Sequence, residues 1–248
     1  MKWKARLGLW RSIIMYYWKP FNQRRLKKFY QVFIQPGDLC FDIGAHLGNR
    51  SKAWLALGAK VVALEPQPRC IKYLKDHFQQ NPNFTLEEKA VAATPGTLPM
   101  YISHNSPTVS SLAGKEWRNA MNALSTYEIQ WEEKLAVTVT TLDQLIAQYG
   151  VPTFCKIDVE DFEEEVLKGL SVAIPYISFE FFNWTAPRTI ACLKCIDQLG
   201  KYRYNWSFGE SQQLALTEWV DATTVLKDID AYDRKESFSG DIYARLQT

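Results

Sequence analysis

Two groups of residues in this chain have the types and spacing for chemistry. The first is Asp42-Ile43-Gly44-Ala45-His46-Leu47-Gly48 together with Glu65. A strand that ends in an acidic residue and turns through glycines into a helix brings backbone close to a bound nucleoside, with free helix N–H groups nearby. A second strand ending in Glu65 adds a carboxylate able to accept hydrogen bonds from two ribose hydroxyls. The glycines stand as Gly44-x-x-x-Gly48, not in the G-x-G-x-x-G spacing of a dinucleotide site, and no Gly-Lys-Ser/Thr occurs. That disfavours NAD and ATP and suits a nucleoside with no pyrophosphate to cradle.

The second group is acidic. Asp158 and Glu160 lie two apart at the C-terminal end of an apolar run, and Glu180 closes the next such run. If the runs are strands, alternation puts Asp158 and Glu160 on one face at the ligand edge of the sheet. One of these carboxylates, or His46, is the expected general base for removing a proton from a bound substrate. No metal site is expected. The three histidines give no i, i+4 pair, and carboxylates alone do not specify Mg²⁺. Cys192-x-x-Cys195 lacks a second pair and reads as ordinary helix residues. The Asn-x-Ser/Thr triplets at Asn49, Asn83, Asn183 and Asn205 have meaning only in a secreted chain, and Asn49 falls inside the glycine turn.

Elements able to position these groups follow from the periodicity. Residues 38–43, 60–64, 98–102, 135–139, 153–158 and 176–181 read as strands, and 84–91 includes another. Residues 50–57, 68–79, 142–149, 163–170 and 190–199 read as helices, and 202–208 and 242–246 as antiparallel strands near the end. Strand and helix alternate, which predicts an α/β fold with a mostly parallel, doubly wound sheet. Residues 103–124 have weak periodicity and many small polar residues, so a surface loop or lid is expected there.

Composition sets the outer limits. With 47% hydrophobic and 23% charged residues in 248, the chain fits one sizeable domain, and no apolar run is long enough to span a membrane. Its five cysteines, odd in number and scattered, are expected as reduced thiols in a cytoplasm, with no cleavable signal before them. The net charge of +2 conceals an asymmetry: Lys2, Lys4, Arg6, Arg11, Lys19, Arg24, Arg25, Lys27 and Lys28 fall within residues 1–30, where no Asp or Glu occurs. We therefore divide the chain into a basic amphipathic helical extension, 1–30, and a catalytic domain, 31–248. The extension has three readings: packing on the domain, peripheral attachment to the inner face of a membrane, or binding of nucleic acid. Its aromatic residues, Trp3, Trp10, Tyr17 and Trp18 among them, make nucleic acid the least favoured.

Four segments in order, Gly37-Asp38 with Asp42-Ile43-Gly44-Ala45-x-x-Gly48, Ala63-Leu64-Glu65-Pro66, Thr141-Leu142-Asp143, and Lys156-Ile157-Asp158-Val159-Glu160-x-x-Glu163, resemble the FkbM-type S-adenosylmethionine-dependent methyltransferases. The resemblance covers about residues 36–180. It implies a Rossmann-like seven-stranded methyltransferase fold and methyl transfer to a hydroxyl of a sugar, glycolipid or secondary metabolite. Carried over by position, Asp42, Gly44 and Gly48 form the methionine-side cradle and Glu65 holds the ribose. Ala45, His46, Ser51 and Pro66 join the cofactor-binding set. Ser110 and Ser111 resemble a Ser-Ser-Leu segment of the family and are expected near the substrate mouth. The chain departs from the family at two places: His46 stands where Asn is usual, and Asp161 where Gly is usual. Competing readings are an NAD- or nucleotide-sugar-dependent Rossmann enzyme and a non-catalytic peripheral membrane module with a vestigial cofactor fold.

Overall fold

The computed structural model describes residues 22–104, 106–125, 127–232 and 238–247. Residues 1–21, which hold most of the basic extension, lie outside them. The extension's last stretch forms α1 (Asn22–Tyr30), which buries Leu26, Phe29 and Tyr30 and exposes Lys27 and Lys28. Tyr30 meets Trp54 and Phe154 edge-on, with ring centroids 5.4 and 5.5 Å away. Residues 22–30 are thus packed with the domain.

The chain then runs β1 (Leu39–Ile43), α2 (Asn49–Leu55), β2 (Lys60–Leu64), α3 (Pro68–Phe78), β3 (Phe84–Glu87), β4 (Ala90–Val91), β5 (Gly96–Ile102), α4 (Lys115–Leu124) and β6 (Glu133–Thr140). It continues through α5 (Leu142–Tyr149), β7 (Phe154–Ile157), α6 (Glu163–Leu167), β8 (Tyr176–Phe182), α7 (Ala186–Leu199), β9 (Tyr202–Phe208), α8 (Ala222–Ala231) and β10 (Ser239–Leu246). Seven strands form the main sheet in the order β3-β2-β1-β7-β8-β10-β9, in which β10 runs antiparallel to both neighbours. This is the doubly wound α/β fold expected from the alternation.

Burial explains the composition of the inner strands. All four residues of β7 (Phe-Cys-Lys-Ile) are buried, as a parallel strand covered on both faces requires. Phe41, Ile43, Cys155, Ile157 and Phe179 pack on one face, whereas Cys40, Val61, Ala63 and Phe154 meet Trp54 and α1 on the other. The chain winds outward from β1 through β2 to β3 and later returns beside β1 as β7. Ligands bind in such folds beyond the carboxyl ends of the strands at this reversal.

Three expectations change. The run 84–91 is two strands in different sheets, because β4 joins β6 and β5 in a separate three-stranded sheet. Residues 103–124 are not all loop: α4 forms there, with Trp117, Ala120, Met121 and Leu124 at helical spacing and Trp117 alone buried. Helix α8, with Val225 and Ile229 buried, was not anticipated. No helix among the described residues is long and apolar enough to cross a membrane.

Candidate active site

The glycine turn follows β1 directly. Gly44 and Gly48 have φ of 82° and 75°, the left-handed region in which a Cβ is disfavoured. Space demands glycine as well. A Cβ at Gly44 would overlap the carbonyl oxygen of Asp158, and one at Gly48 would come within 2.8 Å of Leu74 and Phe78 on α3. Gly44 N and Ala45 N donate to Leu64 O at 3.0 Å, which ties the turn to the end of β2.

Two buried carboxylates organise this turn. Asp42 Oδ2 accepts from the backbone N–H of Ser51 at 3.1 Å and from its hydroxyl at 2.5 Å, in the first turn of α2. Burial raises its pKa, and the Ser51 hydroxyl opposes the rise. Glu65 accepts from His46 N through Oε2 and from Gln67 N through Oε1, both at 2.8 Å. Burial pushes Glu65 up to about 7 against the pull of those two amides. An ionised carboxylate offers about four lone-pair sites, so acceptor capacity remains for a hydroxyl donor.

The turn and Glu65 line a cleft that is open to solvent. Ala45, His46, Pro66, Ser110, Asp158 and Glu160 line it too. Gly48 and Ser51 stand behind its wall and shape it. Thr108 and Leu112, from the segment expected as a lid, also face the cleft.

Asp158, Glu160 and Glu180 converge as expected, with one oxygen of each within 4.8 Å of the others. The cause is different from strand alternation. β7 ends at Ile157, and Glu160 and Asp161 both take positive φ, 58° and 73°. A left-handed turn brings Glu160 back to Asp158, while Glu180 reaches them from inside β8. Glu180 does not line the cleft. It lies in a smaller cavity behind, with Asp161, Glu163 and Arg188.

The three acids have separated protonation behaviour. For Asp158, burial works to raise the pKa, yet Lys156 at 3.3 Å and Arg50 at 3.6 Å lower it overall. Burial, reinforced by the charge of Asp158, raises both Glu160 and Glu180 well above the usual carboxylate range. Negative charge in the cluster is therefore favoured on Asp158 and disfavoured on its two neighbours. His46 is lowered to about 4 by burial, opposed by Asp158, and is neutral.

Behind Asp158 lies a network that sequence reasoning missed. Lys156 is fully buried, and its Nζ donates to Asp241 Oδ1 at 2.6 Å. Arg50 pairs with Glu210 at 3.1 Å and reaches Asp241 at 3.9 Å, and the Tyr243 hydroxyl donates to Asp241 Oδ2 at 3.2 Å. One sequence signal was present: a lysine inside an otherwise apolar strand.

The serine pair divides. Ser110 faces the cleft, and its Oγ accepts from Ser103 N at 3.0 Å. Ser111 Oγ donates to the carbonyls of Glu160 at 2.6 Å and Val159 at 3.3 Å, so it fastens the acidic turn. Both departures from the family pattern fall at left-handed residues: His46 has φ of 50° and Asp161 of 73°. Asn and Gly, usual there, tolerate that conformation best.

Comparison with known proteins was made on sequence and on structure. No curated protein sequence matches the chain. Among solved structures it is similar to precorrin-6y C5,15-methyltransferase from Geobacter metallireducens GS-15, at 14% identity and a TM-score of 0.45, covering 89% of this chain and 87% of that one. It is also similar to a TehB-like SAM-dependent methyltransferase from Corynebacterium glutamicum, at 13% identity and a TM-score of 0.44, covering 97% and 96%. Residues 42–194 match the Methyltransferase FkbM domain. Since that match takes in more than half of the chain, including the glycine turn, Glu65 and all three converging carboxylates, the chain belongs to the FkbM family of methyltransferases, with S-adenosylmethionine as its cofactor.

Proposed function

We propose that this chain transfers a methyl group to a hydroxyl oxygen of a sugar, glycolipid or secondary metabolite. The residues present fit the cofactor. Gly44 and Gly48 let the turn pack directly on Asp158 and on Leu74 and Phe78, and Glu65, held by His46 N and Gln67 N, keeps acceptor capacity for a ribose hydroxyl. The glycine spacing and the absence of a Gly-Lys-Ser/Thr motif count against the dinucleotide and nucleotide-sugar alternatives.

S-adenosylmethionine, when bound, supplies a methyl group already activated by its sulfonium. What remains for the protein is to align the acceptor oxygen and take its proton. Asp158 and Glu160 stand on the wall of the same cleft as the cradle. Asp158, kept ionised by Lys156 and Arg50, accepts a hydrogen bond from the acceptor hydroxyl and orients it. The proton passes to the coupled acid cluster, which titrates as a unit. Neutral His46, on the same wall, is the alternative acceptor.

The observation that carries this reading is that Glu65, Asp158 and Glu160 line one cleft. Its test is release of S-adenosylhomocysteine when the protein and cofactor meet a panel of glycans and hydroxylated metabolites. Turnover on a hydroxylated member and none on its deoxy analogue is the expected result. Turnover that persists on the deoxy analogue contradicts transfer to oxygen.

A further inference from the structure

Glu160 and Asp161 are consecutive Cβ-bearing residues in the left-handed region, at φ of 58° and 73°. That conformation disfavours such a residue about tenfold against glycine. Two in succession persist only where the surroundings over-determine them.

The surroundings supply three tethers. Ser111 Oγ holds the Glu160 carbonyl at 2.6 Å, and Glu163 Oε1 accepts from Val159 N at 3.0 Å. The third comes from α7, where Arg188 Nη1 donates to the Asp161 carbonyl at 3.0 Å and the same guanidinium pairs with the Asp161 carboxylate. Arg188 thus holds the Asp161 main chain, with its positive charge set beside the Asp161 carboxylate. The Asp161 side chain is only 2% exposed, whereas that of Arg188 is 38% exposed, so the cation bridges from solvent to a buried acid.

We propose that Arg188 is a positioning residue for the acidic turn: it holds Asp161 in a conformation natural to glycine, and thereby fixes Glu160 against Asp158 and Glu180. The inference rests on the methyl-transfer reading for its functional meaning, and on the geometry alone for its structural claim. Arg188 touches neither of the acids it orients. Its effect passes through the backbone of residues 160–161.

The clamp predicts a specific rescue. Arg188→Ala should speed amide hydrogen exchange of residues 159–163 about tenfold. Glu160, freed to move away from Asp158, should titrate closer to an ordinary carboxylate, which NMR of ¹³C-labelled glutamate reads directly once Glu160→Gln assigns the signal. Adding Asp161→Gly to Arg188→Ala should restore both readouts, because glycine holds this φ without a clamp. Asp161→Gly alone should leave both as in the wild type, which keeps the idea testable even if Arg188→Ala fails to fold.

Three results overturn the proposal: Arg188→Ala changes neither readout, the double variant is no better than Arg188→Ala, or Asp161→Gly alone loosens the turn as much as Arg188→Ala does. Calorimetry of the wild type with S-adenosylmethionine runs beside these experiments. Failure to bind there defeats the functional reading and leaves the exchange result standing.

Discussion

The carbonyl oxygen of Asp158 occupies the space that a Cβ at Gly44 would need. The turn that cradles the cofactor and the turn that carries the acids are therefore in direct backbone contact. Gly44→Ala should destabilise the fold by about 2 kcal/mol or more, since both the φ of 82° and the overlap oppose it. It should also abolish S-adenosylmethionine binding. Thermal melting and calorimetry read the two effects, and wild-type affinity in this variant would refute the cradle.

The proposed contact of Glu65 with the ribose predicts that cofactor affinity depends on pH. Its pKa is raised from 4.5 to about 7 by burial, so between those values the folded chain keeps a proton that the unfolded chain has released. This residue accordingly lowers stability as pH rises through that window, and the loss is complete above about pH 7. Ribose hydroxyls donate to the ionised form, so binding releases a proton below pH 7. Affinity should climb by up to about tenfold per pH unit toward pH 7 and then level off. Calorimetry in buffers of differing ionisation enthalpy would detect the released proton, and Glu65→Gln should flatten the profile and weaken binding by about 1.5–3 kcal/mol. A wild-type affinity that is flat from pH 5.5 to 8 would contradict the assignment.

The acid cluster separates stability from turnover. Burial and the charge of Asp158 raise the Glu180 pKa, which favours its neutral acid, so Glu180→Gln, a neutral amide of the same shape, should unfold at nearly the wild-type urea concentration. Asp158→Asn removes the partner of Lys156 and Arg50 and should cost several kcal/mol. For the residue that takes the proton, the amide variant should lower turnover by about 10²-fold or more with cofactor affinity intact. Wild-type turnover in Asp158→Asn, Glu160→Gln and Glu180→Gln alike would exclude a carboxylate base and leave His46.

Lys156 is the buried cation on which Asp158 and Asp241 both depend. Lys156→Met should destabilise the fold by about 3 kcal/mol, because Asp158 and Asp241 lose their nearest cation and keep only the more distant Arg50. Asp241→Asn added to it should recover part of that loss. Urea unfolding measures both, and strictly additive effects would show that the pair is not coupled.

The sequence made the cradle legible because its signals are local. Glycines in a strand-to-helix turn, with an acid at the end of the next strand, lie within residues 42–65, and short-range backbone geometry requires them. The acid cluster was legible in membership but not in cause, since nothing local announces that Glu160 turns left-handed. Asp161, noted as a departure from a usual Gly, was the visible trace of that turn. Asp241 and Glu210 were invisible: they join the site only because β10 inserts between β8 and β9, 85 residues after Lys156. Ser111 was placed near the substrate, and its hydroxyl instead fastens the carbonyls of Glu160 and Val159. Helices α4 and α8 escaped notice, and each buries only one or two side chains.

The most direct test of the central claim is calorimetric titration of the intact protein with S-adenosylmethionine, S-adenosylhomocysteine and NAD. The cradle at Gly44 and Glu65 predicts saturable one-to-one binding of the first two, lost in Gly44→Ala, and no heat from NAD. Binding of NAD without S-adenosylmethionine would contradict it.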